Sequence, residues 1–124
     1  MLIRTGVDII EVDRIQEAIE NQGKAFLRKV YTQREIEFCS NTGKMMYQHY
    51  AVRFAAKEAI YKAISEVISS NESDILNKIE ITNTEKGKPI ANLEVLHIQN
   101  IESMDLSLSH IKNYAIASFS IIFK

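Results

Sequence analysis

The sequence is poor in the residues that mark several protein classes. It has one cysteine, Cys39, no tryptophan, one proline, Pro89, and only four glycines among 124 residues. A single cysteine excludes an internal disulfide and a zinc site built from cysteines. The 15 Lys and Arg residues are balanced by 16 Asp and Glu. This balance argues against a general nucleic-acid-binding protein, which carries a clear positive excess.

Long hydrophobic runs are absent as well. No apolar run approaches the roughly 18 residues of a membrane span, and Arg4 and Asp8 interrupt the apolar stretch at the N-terminus. We therefore expect no membrane segment, no signal peptide and a cytoplasmic location. Hydrophobic residues still make up 46% of the chain. This composition predicts one globular domain over residues 1–124.

The first half of the chain is predicted to form one strand and then helices. Apolar alternation over the first twelve residues predicts a strand whose even-numbered residues share one face. A helix is predicted over residues 14–21, capped by Asp13 and ended by Gly23, and a shorter one over 24–31. Capping-box spacing at Thr32 predicts a third helix.

The clearest helical pattern runs from about Tyr47 to about Ile68. One side of this helix carries seven apolar residues, four of them alanine, so the helix can approach a neighbour closely. Residues 69–77 are expected to form a loop. The strands predicted after it cover residues 78–83, 89–96 and 106–123, the last folding back as a hairpin at 110–113. Helices followed by strands predict an α+β fold, with the long central helix packed on an antiparallel sheet.

Asp8, Glu58 and Lys62 are the first candidates for chemistry. A carboxylate among strand-type apolar residues costs free energy unless a backbone group, a basic side chain such as Arg4, or a cation satisfies it. Glu58 and Lys62 have the spacing of an ordinary helical ion pair, worth ~0.3–0.5 kcal/mol on a surface, but they border the apolar stripe. Two carboxylates suit Mg²⁺, and a nearby ammonium suits phosphate. The structural and the catalytic interpretation both stay open on this pattern.

His110 and the turn around Gly87 and Lys88 are further candidates. Successive strand residues point to opposite faces, so Ser109 and His110 are not expected to form a nucleophile–base pair. His110 either closes a strand at a hairpin or contacts a ligand. Gly87 would let a ligand approach the backbone, but a solvated basic turn is the simpler interpretation, and the phosphate-loop motif is absent. His49 has no metal-ligand spacing and is taken as structural.

Positive charge is concentrated in one segment of this nearly neutral chain. Lys24, Arg28, Lys29 and Arg34 follow one another without an intervening acid, and Arg14 precedes them. Apolar residues interleave with these charges. The pattern predicts either a docking patch for an acidic partner or a solvated helical face.

Three segments together resemble one enzyme family. Residues 6–15 (GVDIIEVDRI), 53–63 (RFAAKEAIYKA) and 106–121 (LSLSHIKNYAIASFSI) resemble the motifs of the short-type 4′-phosphopantetheinyl transferases, the bacterial holo-[acyl-carrier-protein] synthases. The Gly-Lys-Pro turn at 87–89 is similar to the Gly-Arg-Pro of that family, with a lysine that lacks arginine's two-pronged donor. The resemblance spans residues 3–122 in the same order.

The resemblance implies a magnesium-dependent transfer. The phosphopantetheine arm of coenzyme A would move to a serine hydroxyl of an apo acyl carrier protein, releasing adenosine 3′,5′-bisphosphate, in support of fatty acid biosynthesis. Asp8 and Glu58 would bind Mg²⁺, Lys62 would neutralise charge on the diphosphate, and either Glu58 or a water would be the general base. A homotrimer with sites between subunits is implied too. The residues implied to line the coenzyme A site are Lys62, Gly87, Lys88, Pro89 and His110, and those implied to dock the acidic carrier are Arg14, Lys24 and Arg28.

Two other functions remain as alternatives from the residues. A non-catalytic binding module for an acidic protein would keep the basic patch and use residues 8, 58 and 62 structurally. A magnesium-dependent phosphohydrolase or nuclease would carry a richer acidic cluster than two carboxylates. Neither alternative explains why all three segments occur together, and neither a nucleic acid nor a membrane is expected as a partner.

Overall fold

The computed structural model describes all residues from 1 to 124. The α-helices are α1 Val12–Gln22, α2 Lys24–Val30, α3 Gln33–Ser40, α4 Met46–Ile64 and α5 Glu72–Ile75. The strands are β1 Leu2–Glu11, β2 Glu80–Asn83, β3 Pro89–Asn92, β4 Ile101–His110 and β5 Tyr114–Phe123. The predicted α+β fold with a long helix on antiparallel strands is confirmed, although the strands form two sheets rather than one. These sheets have the orders β1-β5-β4 and β2-β3.

The three-stranded sheet packs one face on α4 and leaves the other face open. β1 pairs with β5 along its whole length, from Leu2 opposite Phe123 to Glu11 opposite Tyr114. The predicted alternation is confirmed, because Gly6 on the inner face is buried while Val7 on the outer face is 56% exposed. Ser109 and His110 fall on opposite faces of β4, as the alternation requires.

Helix α4 is buried along most of its length. The alanines of its apolar stripe are at most 3% exposed, so the backbone of β1 comes very close to the helix. A Cβ on Gly6 would overlap the carbonyl oxygen of Ala59. The predicted extension of this helix to Ile68 is wrong, since it ends at Ile64. Val67, the last apolar position of the predicted stripe, is 45% exposed and has no core to pack against.

Several boundaries differ from the sequence-based expectation for physical reasons. Asp13 does not cap α1, which begins at Val12 directly after β1 with Glu11 at the N-cap. The segment expected to be a loop contains α5 and a 3₁₀ turn at 76–78, because Ile75 and Leu76 are drawn into the core. The strand expected over 89–96 ends at Asn92, and β4 begins at Ile101, five residues earlier than expected.

Local signals predicted other boundaries correctly. Gly23 ends α1 with a positive φ of 57°, a conformation that glycine adopts without strain. Thr32 and Glu35 form the predicted capping box at the start of α3. None of the helices combines the length and apolar character needed to cross a bilayer.

Candidate functional site

Asp8 lies on the inner face of β1 and meets Lys62 of α4. The ammonium nitrogen Nζ of Lys62 is 3.2 Å from Oδ1 of Asp8 and donates a second hydrogen bond to the carbonyl of Val7 at 3.0 Å. Only 18% of the Asp8 side chain is exposed. Lys62, rather than Arg4, is therefore the basic partner of this carboxylate, and Arg4 instead pairs with Glu66 at 3.5 Å.

Glu58 lies one helical turn before Lys62 and is crowded by other carboxylates. Burial raises the pKa of Glu58 to about 8, helped by a hydrogen bond with Glu72 and by the negative charges of Glu72 and Asp8, against the opposing effect of Lys62. Asp8 and Glu58 line the same cleft, whose volume is about 400 Å³. The two carboxylates that the sequence assigned to one cation thus share one cavity.

The donor set in this cleft fits a magnesium ion. No three or more His, Cys, Asp or Glu side chains are gathered as a metal site, so the protein offers the carboxylates of Asp8 and Glu58. Mg²⁺ commonly takes one or two carboxylates and completes its octahedron with water and substrate phosphate. Burial is the largest cause of the raised pKa of Glu58, and the repulsion from Glu72 and Asp8 that adds to it is the kind that a bound cation relieves.

The same cleft is also lined by part of the predicted docking region. Arg14 of α1 lines the cleft together with Phe26 of α2 and Phe54 of α4. The rings of Phe26 and Phe54 stack with centroids 6.5 Å apart. Lys24 and Arg28, both exposed, lie on α2. A cleft lined by two carboxylates, one arginine and two aromatic rings, beside the exposed bases of α2, suits an acidic protein partner.

The predicted coenzyme residues other than Lys62, which contacts Asp8, form a second group near the N-terminal half of α4. Nδ1 of His110 is 2.7 Å from Oε1 of Gln48, and the His110 ring meets the ring of His49 edge-on at 5.4 Å. Along α4, His49 and Glu58 are nine residues apart, or about 14 Å at 1.5 Å per residue. Within one chain, His110 and the Asp8 carboxylate do not belong to one compact site.

The turn that contains Gly87, Lys88 and Pro89 is connected to this second group through the buried Arg53. Arg53 donates to Oδ1 of Asn83 at 2.8 Å, and Nδ2 of Asn83 donates to the carbonyl of Gly87 at 3.1 Å. The ammonium of Lys88 instead pairs with a carboxylate of β4, Asp105, at 2.6 Å.

Two buried nitrogens in this second group lack a hydrogen-bond partner, namely Nδ1 of His49 and Nε of Arg53. Arg53 also stacks on the Phe38 ring at 4.5 Å and lines a cavity of about 290 Å³. Burial, with help from Arg53 and His110, lowers the pKa of His49. Unsatisfied buried donors and acceptors are costly, so both nitrogens are available to a polar partner.

Sequence patterns missed three residues that the structure adds. Arg53 carries a charge at an interior position of the long helix, a conflict with the apolar stripe that could have drawn attention to it. His49 was taken as structural, although its ring contacts that of His110. Glu72 contacts Glu58 but lies in a segment without a distinctive pattern, so no sequence signal pointed to it.

Comparison with known proteins identifies the family. The sequence model of the 4′-phosphopantetheinyl transferase superfamily matches residues 4–118, and this chain belongs to that superfamily. Among curated proteins, the holo-[acyl-carrier-protein] synthase of Ruminiclostridium cellulolyticum is 44% identical over 90% of this chain and 86% of its own length. The resemblance carried by the three sequence segments is therefore confirmed.

Solved structures share the fold along the whole chain. The holo-[acyl-carrier-protein] synthase of Neisseria meningitidis has a TM-score of 0.81 at 29% identity and covers 96% of this chain and 97% of its own. The enzyme from Bacillus anthracis, solved in complex with CoA (3′,5′-ADP), has a TM-score of 0.78 at 29% identity, covering 98% of this chain and 96% of its own.

Proposed function

We propose that this chain transfers the 4′-phosphopantetheine arm of coenzyme A to a serine hydroxyl of an apo acyl carrier protein in a Mg²⁺-dependent reaction. The observation that carries the proposal is the shared cleft of Asp8 and Glu58, with Lys62 one helical turn away, in a chain of this superfamily. A cytoplasmic location and a role in fatty acid biosynthesis belong to the same proposal, since the curated relatives are named as synthases of the holo carrier.

The residues of the cleft suit the chemistry of this transfer. The serine oxygen attacks the phosphorus that bears the pantetheine arm, the bridging P–O bond breaks, and adenosine 3′,5′-bisphosphate leaves while the serine proton passes to a base. A cation held by Asp8 and Glu58 would stabilise the charge that develops on the diphosphate. Lys62 keeps one ammonium beside Asp8, where it binds and orients the same phosphates.

The coenzyme site in this proposal is completed by a second copy of the chain. His110 and the turn at 87–89 lie toward the other end of α4 from Asp8 and Glu58, so one diphosphate cannot touch both groups within one copy. The outer face of the three-stranded sheet is apolar and exposed, with Val7 56% and Ile9 63% exposed. An uncovered apolar sheet face favours self-association, and the family resemblance implies three copies.

The docking of the carrier follows from the charges around the cleft. Arg14 lines its apolar wall, and Lys24 and Arg28 are exposed on α2, the helix that contributes Phe26 to that wall. The acidic recognition helix of a carrier protein would neutralise these charges. The serine would then lie at the opposite end of the cleft, near Asp8 and Glu58. The local positive charge on a chain with net charge −1 is explained by this one contact.

An intact-mass assay tests the proposal. Purified protein with coenzyme A and Mg²⁺ is expected to add one phosphopantetheine arm to an apo carrier, and addition of EDTA is expected to stop the reaction. Asp8→Asn and Glu58→Gln keep the side-chain shape but remove charge, and each is expected to lower the rate by about a hundredfold or more. Asp13→Asn, an exposed acid of α1, is the matched control.

Two results would contradict the proposal. The first is an unmodified carrier at every enzyme concentration while the two proteins still form a complex without metal, which would favour the binding module. The second is a near-normal rate for the Asp8→Asn variant at limiting Mg²⁺, which would remove Asp8 from the metal site.

A further inference from the structure

Lys57 and Glu35 form an ion pair whose two side chains are both 0% exposed. Nζ of Lys57 donates to Oε1 of Glu35 at 2.6 Å, to the carbonyl of Val30 at 2.8 Å and to the carbonyl of Leu76 at 2.8 Å. All three protons of the ammonium group therefore have a partner. Neither residue lines the cleft of Asp8 and Glu58, so the chemistry proposed above does not use this pair.

Glu35 extends the connection to two more elements. Its Oε2 accepts a hydrogen bond from the backbone N–H of Ile81 at 2.8 Å, and its Oε1 accepts one from the N–H of Thr32 at 2.8 Å. The pair therefore connects the middle of α4 to four other parts of the chain. These are the end of α2, the start of α3, the 3₁₀ turn at 76–78 and the start of β2. Buried ion pairs are seldom better for stability than apolar packing. What this pair provides is a fixed geometry between the elements that it connects.

The ion pair acts on α2, the helix that carries docking charges. Lys57 directly precedes Glu58, and successive helical residues point about 100° apart, so one faces the interior and the other the cleft. Lys57, the α4 residue adjacent to Glu58, therefore donates a hydrogen bond to the carbonyl of Val30, the last residue of α2. A second side chain acts nearby, since Nδ2 of Asn77 donates to the carbonyl of Arg28 at 3.0 Å.

Two observations describe how α2 is held. α2 is only seven residues long, and no acidic residue in its first turn or side-chain cap stabilises its start. Its apolar side chains pack on α4, with Phe26 stacked on Phe54 and Val30 in the same hydrophobic cluster. The bonds from Lys57 and Asn77 to the carbonyl end of α2 add directional contacts to this apolar packing.

We propose that Lys57 and Asn77 are positioning residues that hold the docking helix α2 at a fixed distance and angle from the carboxylates of Asp8 and Glu58. This inference rests on the proposed function. The serine of a docked carrier reaches the phosphate only if the surface that binds the carrier is correctly placed relative to Asp8 and Glu58. A small misplacement of reacting groups lowers the rate of transfer.

The first test compares two asparagines that each donate to a backbone carbonyl near the end of a helix, one across the structure and one locally. Asn77→Ala removes the bond to the end of α2, and the control Asn41→Ala removes a bond from Nδ2 of Asn41 to the carbonyl of Glu37 near the end of α3, at 2.6 Å. Both side chains are on exposed residues. Asn77→Ala is expected to raise KM for the carrier about three- to tenfold and to leave KM for coenzyme A and the Mg²⁺ dependence unchanged. Asn41→Ala is expected to change none of these.

The second test addresses Lys57 directly. Lys57→Met combined with Glu35→Gln removes both formal charges, so that no buried charge stays unpaired, and its folding is checked by circular dichroism. The folded double variant is expected to raise the carrier KM more than Asn77→Ala does, again without changing KM for coenzyme A. Lys57→Arg, which keeps the charge and the donors, is expected to keep more of the carrier affinity than the double variant does. If the double variant does not fold, Asn77→Ala decides.

The outcomes separate this inference from the function on which it rests. Absence of phosphopantetheine transfer by the unaltered protein would reject the proposed function. A normal carrier KM for Arg28→Glu would reject α2 as the docking helix. If Arg28→Glu raises the carrier KM but Asn77→Ala and the folded double variant leave it unchanged, or if they raise both KM values equally, the positioning role is wrong.

Discussion

At the scale of single residues, the cleft contains more negative charge than the protein alone can neutralise. Glu58 is pressed against Glu72 and near Asp8, and Lys62 is the only base that lowers its pKa. Such crowding is characteristic of a site that binds a charged species. In a purely structural helical pair, Glu58 and Lys62 would have contacted each other, whereas the ammonium of Lys62 instead contacts Asp8.

The pKa of Glu58 predicts how the stability of the metal-free protein depends on pH. Folding raises this pKa from 4.5 to about 8, so the folded state binds an extra proton between these values. The free energy of unfolding should therefore be largest below about pH 4.5 for this group and fall as pH rises toward 8, by about 1–2 kcal/mol after allowance for its partial exposure.

Urea denaturation in EDTA at about pH 5 and pH 8.5 measures this change. Glu58→Gln, which cannot ionise, should flatten the pH dependence, and Mg²⁺ should stabilise the unaltered protein more at the higher pH because binding requires the ionised carboxylate. Equal pH slopes in the two proteins would show that Glu58 is not the group responsible.

At the scale of elements, the site depends on how closely β1 crosses α4. The stripe of alanines on the helix and the glycine on the strand let the two backbones meet, and this approach brings Asp8 within reach of Lys62. A larger residue on either element would move the strand away from the helix. The small residues therefore serve the site as much as the core.

Gly6→Ala tests this close approach. Its methyl group would overlap the Ala59 carbonyl oxygen, so the strand must shift. We expect the free energy of unfolding to fall by about 1–3 kcal/mol. Transfer activity should fall further than stability, because Asp8 moves with β1. Thermal and urea denaturation together with the mass assay measure both effects. Asn21→Ala, on the exposed surface of α1, is the control, and an unchanged melting temperature for Gly6→Ala would contradict the prediction.

At the scale of the whole molecule, the open sheet face and the two separate groups of site residues have one common explanation. A second copy packed on the sheet would cover the exposed aliphatic residues and could bring its own His110 to the Asp8 cleft. The active unit would then be the oligomer, and its loss would abolish activity while each chain stays folded.

Ile116→Asp tests this arrangement. Ile116 lies on the central strand β5, on the outer face, and is 40% exposed, so a charge there should split the proposed trimer into monomers of 14.2 kDa and reduce transfer by about a hundredfold or more. Light scattering after size-exclusion chromatography measures the mass. Val95→Asp, at a 60% exposed position away from this sheet, should leave the oligomer intact. Full activity in a monomeric unaltered protein would reject the arrangement.

The sequence by itself determined the parts of this protein that depend on local periodicity and local chemistry. Alternation over the first twelve residues placed Asp8 on one face of β1 with the other even-numbered residues, the alanine pattern marked α4, and the capping box at Thr32 marked the start of α3. The family followed from three short motifs in the correct order. Each of these signals lies within a segment of about twenty residues, where neighbouring side chains decide the conformation.

Only the tertiary structure decided the contacts between distant segments. Lys62 as the partner of Asp8, Glu72 beside Glu58, and the buried pair of Lys57 and Glu35 all join residues between 14 and 54 positions apart. The short helix α5 also formed against expectation, because Ile75 gains burial from the core and not from its neighbours in sequence. Such contacts come from packing and desolvation, which depend on what each surface meets in three dimensions and leave no periodic mark in the chain.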